Sequence, residues 1–450
     1  MNNDSPIIKT FIVDNEYFFY DAYKNQILHI SNNQFIEIHK LLNMGLKRYI
    51  ALNKETQEYK DILWLINKGY LKEAFIKEIL HPETKYIKAL LERGINDLTL
   101  QVTQDCNFKC RYCSFTREHG LDRTHKKLSM GWDIAKKGID FLHDHSKDSD
   151  EISLSFYGGE PLLNFDLIVM AVEYSECIFQ TKTVNFYMTL NASLLNERII
   201  KFLIEHKFTL LISLDGSPSI QNNHRKFYET GNDTFDIVMK NINKIREVNK
   251  EYFEKNVSFA PVVFADESVE DVMSFFESIG IDKEKVSYTY ANMSGIDYLE
   301  RDINNNLILN VDDRDARKFE DKFNEKFPIP PIYHPYGPCI PGFTKLFLDI
   351  YGDFYPCEKV IASPATKIGN LNDGIDLQKV YQHMNVSKLT EDDCRHCWAV
   401  RFCEMCIVKC VDFDTGDINA ERKRDICKIQ KRSIKNHLEK IIIKAKSNNL

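Results

Sequence analysis

The densest chemistry in the chain lies in eight residues, Cys106-Asn107-Phe108-Lys109-Cys110-Arg111-Tyr112-Cys113. Three thiols at CxxxCxxC spacing can ligate three irons of a cubane cluster and leave the fourth iron open, whereas ferredoxin-type cubanes use four cysteines. An open iron is what a cluster needs if it must bind a small molecule. Zinc is the bland alternative for the three thiols taken alone. Further on, Tyr157-Gly158-Gly159-Glu160-Pro161 joins two glycines to a carboxylate. Glycines let backbone groups approach a ligand closely, and Glu160 can accept from an ammonium. A third group of thiols comprises Cys339, Cys357, Cys394, Cys397, Cys403, Cys406, Cys410 and Cys427. Of the chain's 12 cysteines this leaves only Cys177 by itself, within a helical stretch, where it reads as a core residue.

These groups need elements to position them. From Leu98 onward apolar strands alternate with amphipathic stretches. Strands are expected at Leu98–Val102, Ile152–Tyr157, Val184–Leu190, Thr209–Leu214, Val257–Phe264 and Val286–Tyr290. Helices are expected at Gly131–His145, Phe165–Phe179, Asn196–His206, Phe235–Asn249 and Val269–Ile279. Alternating βα units imply a parallel sheet with helices outside, whose ligands gather at the C-terminal strand ends. The cysteine triad, the glycine pair, Asn191 and Ser213 all fall at such ends. Before this region, Ile7–Ile30 reads as a small antiparallel sheet turning at Asp14-Asn15 and Lys24-Asn25. Amphipathic helices Gln34–Leu46 and Tyr59–Leu71 follow, with Gly69 as a stop, and His81–Gly94 leads into the central region. Residues 1–95 thus read as a winged-helix-like module, whose few basic residues are not gathered on a recognition helix. Asp302–Tyr336 is polar, Pro-rich at its end, and reads as a bridge. Phe347–Cys357 is hairpin-like.

At 450 residues there is room for two or three domains. A net charge of −7 gives no general electrostatic case for nucleic acid or an anionic membrane. No apolar run is long enough to span a bilayer, and the start lacks the basic and apolar regions of a secretory signal. Reduced or metal-bound cysteines and a cytoplasmic location are therefore expected.

CxxxCxxC with an aromatic before the last cysteine, then YGGEP, then the C-terminal cysteines, in this order, resembles the radical S-adenosylmethionine (SAM) superfamily. The branch it resembles carries a SPASM domain with auxiliary iron–sulfur clusters. The resemblance covers roughly Leu98 to Cys427. It implies an α/β fold with an open, partial (βα)6 barrel over 96–300, a bridging region over 301–337, and a SPASM domain with a C-terminal helix over 338–450. It implies SAM and three [4Fe–4S] clusters as cofactors. Cys106, Cys110 and Cys113 would hold the SAM-binding cluster. Cys339, Cys357 and one of Cys406 or Cys410 would belong to a nearer auxiliary cluster, and Cys394, Cys397, Cys403 and Cys427 to a farther one. Gly352 precedes Cys357 by the family's GxxxxC spacing, but after Cys403 the family expects three residues before the next cysteine. Here Cys406 follows after two and Cys410 after six, so the ligand is open between them; both together would saturate the nearer cluster.

By the same resemblance Gly158, Gly159 and Glu160 hold the SAM amino group, Asn191 and Ser213 contact SAM, Arg225 pairs with its carboxylate, and Tyr112 packs by its adenine. The family usually carries His-Asp before this arginine, where Gln221-Asn222 stand here. The implied chemistry is one-electron cleavage of SAM to methionine and a 5′-deoxyadenosyl radical, which abstracts a substrate hydrogen. The 1–95 module resembles the precursor-recognition element of peptide-modifying radical SAM enzymes, in which a leader peptide adds a strand to the sheet edge. Implied partners are a ribosomal precursor peptide and an electron donor such as flavodoxin or ferredoxin, with no nucleic acid and no membrane. The leading expectation is a maturase forming thioether crosslinks. The alternatives are another peptide-crosslinking or epimerising radical SAM enzyme, or an anaerobic sulfatase-maturating enzyme, for which Glu358, directly after Cys357, would be a catalytic base; some 95 residues ahead of the core argue against the last. An iron–sulfur redox sensor that binds DNA would leave GGEP and the α/β core unexplained.

Overall fold

The computed structural model describes residues 5–73, 75–113, 125–264, 266–291, 319, 321–325, 327–335, 339–412 and 414–447. Most of the expected bridge, including Asp302 and Tyr336, lies outside the described residues.

The first strands are β1 (Ile8–Val13), β2 (Glu16–Asp21) and β3 (Gln26–Ile30), in that order within an antiparallel sheet. Asp14 and Asn15, at φ 50° and 61°, make the first turn, and Asn25, at φ 55°, serves the second. These side chains tolerate the left-handed region better than most. Helix Asn32–Met44 starts at Ser31 in a capping box with Gln34. One face of the sheet, with Ile8, Phe19 and Ile30, packs on Ile38, Leu41, Tyr59 and Ile62 from this helix and from Gln57–Asn67. The other face, with Phe11, Val13, Phe18 and Tyr20, packs on Phe402 and on Ile434, Leu438 and Ile442 of the C-terminal helix Ala420–Ser447. The N-terminal module is therefore seated on the C-terminal region.

The central strands are β4 (Asp97–Thr103), β5 (Phe108–Cys110), β6 (Glu151–Gly158), β7 (Thr183–Leu190), β8 (Thr209–Ile212), β9 (Arg225–Phe227), β10 (Val257–Phe259), β11 (Val262–Val263) and β12 (Thr289–Tyr290). β4, β6, β7, β8 and β10 are parallel neighbours in sequence order. Expected strand Val257–Phe264 is split at Pro261, which has no N–H for the ladder. β11 then pairs with β12 instead. Helices Trp132–His145, Phe165–Ile178, Glu197–Glu205, Phe235–Val248 and Val269–Ser278 lie between the strands. Leu98, Leu100 and Val102 of β4 enter the apolar core together with Ile139 and Leu142 of the first of these helices, so Asp97, Thr99 and Gln101 lie on the opposite face.

Two outcomes differ from the sequence reading. The hairpin of β13 (Leu346–Leu348) and β14 (Asp353–Tyr355) joins the central sheet: β13 lies parallel to β4, and β15 (Gly369–Asn370) and β16 (Gly374–Ile375) continue beyond β14. Cys177 is exposed, not in the core. Its helix buries Leu167, Ile168, Ala171, Val172 and Ser175, and position 177 falls off that stripe.

Candidate active site

The cysteine loop leaves the C-terminal end of β4 and folds against the end of β6. Gly159 N donates to Thr103 O and Glu160 N to Asp105 O. A Cβ on Gly158 would lie 2.1 Å from Thr103 O, and one on Gly159 2.1 Å from Asp105 O. Both glycines are thus required by the chain's own loop, which the sequence reading had assigned to close approach of a ligand. Glu160 is fully buried. Its Oε2 accepts from Asn191 N at 2.7 Å and its Oε1 from Leu162 N at 3.2 Å. Burial raises its pKa to about 7, partly offset by those two N–H donors. Glu160 therefore ties the end of β6 to the end of β7. Asn191 Nδ2 donates to Asn107 Oδ1 at 2.8 Å, and Asn107 Nδ2 donates to Ser193 Oγ at 2.8 Å, which fastens the cysteine loop from the other side. Ser213 is half-buried, with its N donating to Leu190 O.

β5 and β9 form a two-stranded antiparallel ribbon that sets Arg225 opposite Cys110. Arg225 is buried and donates through Nε and Nη2 to both oxygens of Asp215 at 2.9 Å each. The Tyr112 hydroxyl donates to Asp215 Oδ2 at 2.9 Å, and Val262 N donates to its Oδ1 at 2.9 Å. His224 bridges Asp215 at 3.2 Å and Glu267 at 2.8 Å. Burial alone would raise the Asp215 pKa, but Arg225 and His224 bring it down to about 2. Arg225 and Tyr112 were expected to face a carboxylate and an adenine; here both are engaged by Asp215. The sequence reading quoted Asp215 without a role and missed Asn107, His224 and Glu267. An Asp-Gly after a strand was the available signal for Asp215; the partners are brought in by β9 and the β10–β11 region, which no spacing shows.

Cys106, Cys110 and Cys113 are half-buried. Burial pushes Cys110 up to about 12, with Arg225 opposing and Cys113 adding to the shift. Cys106 is raised by burial, then by Glu160 and by the two other thiols. His125 Nε2 lies 3.7 Å from Cys113 Sγ. The three thiols therefore share one electrostatic neighbourhood, and a metal group bound there would favour their thiolate forms. Among the described residues no three His, Cys, Asp or Glu side chains converge on a single metal ion. Cubane thiolates ligate separate irons and stand farther apart, so this soft three-sulfur set fits an iron–sulfur cluster.

Among the C-terminal thiols Cys394, Cys397, Cys403 and Cys427 are electrostatic neighbours, Cys339, Cys357 and Cys406 form a second group, and Cys410 adjoins both. Cys403 interacts with Cys397, Cys394 and Cys427. Cys357 interacts with Cys339 and Cys406. Cys410 is buried, donates to Cys406 O at 3.4 Å, and interacts with Cys406, Cys427 and Cys403. Glu358 pairs with Lys345 at 3.0 Å. Both line a cavity of about 430 Å³ over the parallel strands, with Asp97, Thr99, Ser155 and Tyr187. Asp97 and Lys345 are further site residues absent from the sequence reading, since only the parallel pairing of β13 with β4 brings them together.

Residues 100–279 match the radical SAM superfamily model. The uncharacterized protein MJ0907 of Methanocaldococcus jannaschii is 34% identical over 123 residues, 27% of this chain and 40% of that one. The radical SAM cyclopropyl synthase TigE of Paramaledivibacter caminithermalis is 23% identical over 198 residues, 42% of this chain and 40% of that one. A cysteine-type anaerobic sulfatase-maturating enzyme of Clostridium perfringens is 30% identical over 158 residues, 33% of this chain and 38% of that one. The chain thus spans about 40% of the length of the curated relatives it matches. The solved structure of native anSMEcpe with bound AdoMet superposes with a TM-score of 0.54 at 18% identity, covering 79% of this chain and 100% of that one, which is a likeness of fold. Among the described residues no helix is long and apolar enough to cross a membrane. The thiol triad at the end of β4 and the glycine pair locked against it lie within the stretch 100–279 that matches the radical SAM superfamily model, so this part of the chain is similar to a radical SAM domain.

Proposed function

We propose that this enzyme modifies a ribosomally made precursor peptide, forming thioether links from a cysteine sulfur to carbon. Cys106, Cys110 and Cys113 would hold the SAM-binding cluster, with Asn191, Ser213 and the backbone of Gly158 and Gly159 around SAM. A cluster held there would supply one electron for reductive cleavage of SAM. Asp215 holds Arg225 and Tyr112 beside Cys110, and a SAM carboxylate would share the guanidinium with it. Glu160 positions the strand ends and leaves ammonium binding to the loop backbone. Cys339, Cys357, Cys406 and Cys410, and separately Cys394, Cys397, Cys403 and Cys427, would hold two auxiliary clusters that take up the electron released when the link forms. An electron donor of flavodoxin or ferredoxin type would serve the SAM cluster.

The observation that carries this reading is the seating of the N-terminal module. Arg401, between Cys397 and Cys403, donates to Ala22 O at 2.7 Å and to Tyr23 O at 3.0 Å. β3 pairs with β2 along one side, and its other side suits an added leader strand. A module so firmly joined to a cysteine-rich region is expected where a bound leader must be delivered to the chemistry.

Glu358 favours a second reading, a sulfatase maturase. Glu358 lines the cavity over the parallel strands, where a carboxylate can take a proton from a substrate thiol or hydroxyl. Mass spectrometry separates the two. Anaerobically reconstituted enzyme with SAM and reductant is given short cysteine-containing peptides encoded beside its gene, and in parallel a sulfatase-motif peptide. Loss of two hydrogens per link in the former supports the crosslinking reading; an aldehyde in the latter supports the alternative.

A further inference from the structure

Lys423 is fully buried, near the start of helix Ala420–Ser447. Its ammonium donates to Cys394 Sγ at 3.3 Å and is hydrogen-bonded to Thr390 Oγ1. Burial alone would lower its pKa, yet Cys394 and Cys427, and more weakly Cys410, raise it overall. The partners of this charge are sulfurs, and no ion pair joins it to a carboxylate among the described residues. A buried ammonium without a counter-charge is unfavourable, since it has lost its hydration and gained no opposite charge. Thiolates held by a metal group provide that counter-charge. Lys423 also stands between the two thiol sets, since Cys394 and Cys427 belong to one and Cys410 is linked to the other through Cys406.

We propose that Lys423 is a fixed positive charge that raises the reduction potential of the iron–sulfur group held by Cys394, Cys397, Cys403 and Cys427. This rests on the reading of those four cysteines as ligands of an auxiliary cluster. Reduction of such a group adds one electron and one negative charge without making or breaking a bond to the protein. An ammonium hydrogen-bonded to a ligand sulfur stabilises the reduced form more than the oxidised form, and the low local dielectric strengthens the effect. Net charge and hydrogen bonds to sulfur are among the known determinants of cluster potential. A raised potential suits an acceptor that must take one electron from a substrate-derived radical as the product bond closes. Contact with Cys394 makes the effect larger on that set than on the one containing Cys410.

The test uses the full chain, reconstituted anaerobically. Iron and sulfide are assayed, and dithionite titration is followed by electron paramagnetic resonance in wild type, Lys423→Gln, Lys423→Met and Lys423→Arg. The signal of the SAM-binding cluster is identified by its loss when Cys106, Cys110 and Cys113 are changed to Ala. The expected result is full iron in all four proteins and one auxiliary signal shifted to lower potential in the two neutral variants. Lys423→Arg keeps the wild-type potential, and the SAM-cluster signal stays in place throughout. Unmoved potentials in both neutral variants at full iron would overturn the proposal. Loss of auxiliary iron in both would also overturn it, assigning the lysine to cluster retention. Wild-type protein with iron for the SAM-binding cluster alone would remove the ligand reading beneath it, an outcome visible in the iron assay before any titration.

Discussion

Arg225 and Asp215 form a buried two-pronged pair, with Nε and Nη2 each 2.9 Å from a carboxylate oxygen. The same carboxylate accepts from Tyr112 at 2.9 Å, two residues beyond Cys110. Removing one member strands a buried charge, which typically costs about 3–5 kcal/mol. Asp215→Asn is expected to lose about that much in denaturant unfolding and to weaken SAM binding measured by equilibrium dialysis. The pH dependence follows from the same pair. The folded pKa of Asp215 is depressed from 3.8 to about 2, so its contribution is present above pH ~4 and is lost as pH falls toward 2. Wild type should lose this stability across that window, and Asp215→Asn should not.

Gly159→Ala places a methyl against Asp105 O, where a Cβ has only 2.1 Å. The loop carrying Cys106 must then shift. The expected outcome is a protein that stays folded by circular dichroism, binds about one cubane less iron on reconstitution, and cleaves SAM at a rate lower by an order of magnitude or more.

Arg401→Ala leaves Ala22 O, Tyr23 O and Phe327 O without the guanidinium that serves all three. Hydrogen bonds to charged groups are worth about 1.5–3 kcal/mol each. Hydrogen exchange should rise in residues 5–30 well before the central sheet, and precursor processing should fall more than uncoupled SAM cleavage.

Asp97 runs the other way from Asp215. Burial raises its pKa from 3.8 to about 6, with Lys345 opposing and Glu358 adding. The folded state favours the protonated acid, so stability is full below pH ~4 and is lost as pH rises through 6. Asp97→Asn should remove this loss. Its melting temperature relative to wild type should be higher at pH 8 than at pH 5, as differential scanning calorimetry would show.

Much of this architecture was legible in the sequence. The parallel strands up to β8 lie close to where apolar runs placed them, because each buries one face against a flanking helix and the runs are bounded by turn residues. The cysteine triad and the glycine pair were legible because their spacing is local. What stayed hidden depends on pairing between distant residues. β13 joins β4 across some 250 positions of chain, and only that places Lys345 and Glu358 beside Asp97. Asp215, His224 and Glu267 acquire meaning when β9 turns back against β5. Arg401 and Lys423 carry no local sequence signal; their burial shows that one serves backbone carbonyls and the other sulfur. The glycine pair was read for a ligand because glycine allows close approach of any group; that the approaching groups are the chain's own Thr103 and Asp105 carbonyls is a contact no motif reveals.

The central claim is that Cys106, Cys110 and Cys113 hold the cluster that cleaves SAM. The most direct measurement is reductive formation of 5′-deoxyadenosine from SAM by the anaerobically reconstituted protein, compared with the variant in which all three cysteines are alanine. The account predicts 5′-deoxyadenosine and methionine from wild type and none above background from the triple variant. Cleavage persisting in the triple variant would contradict it.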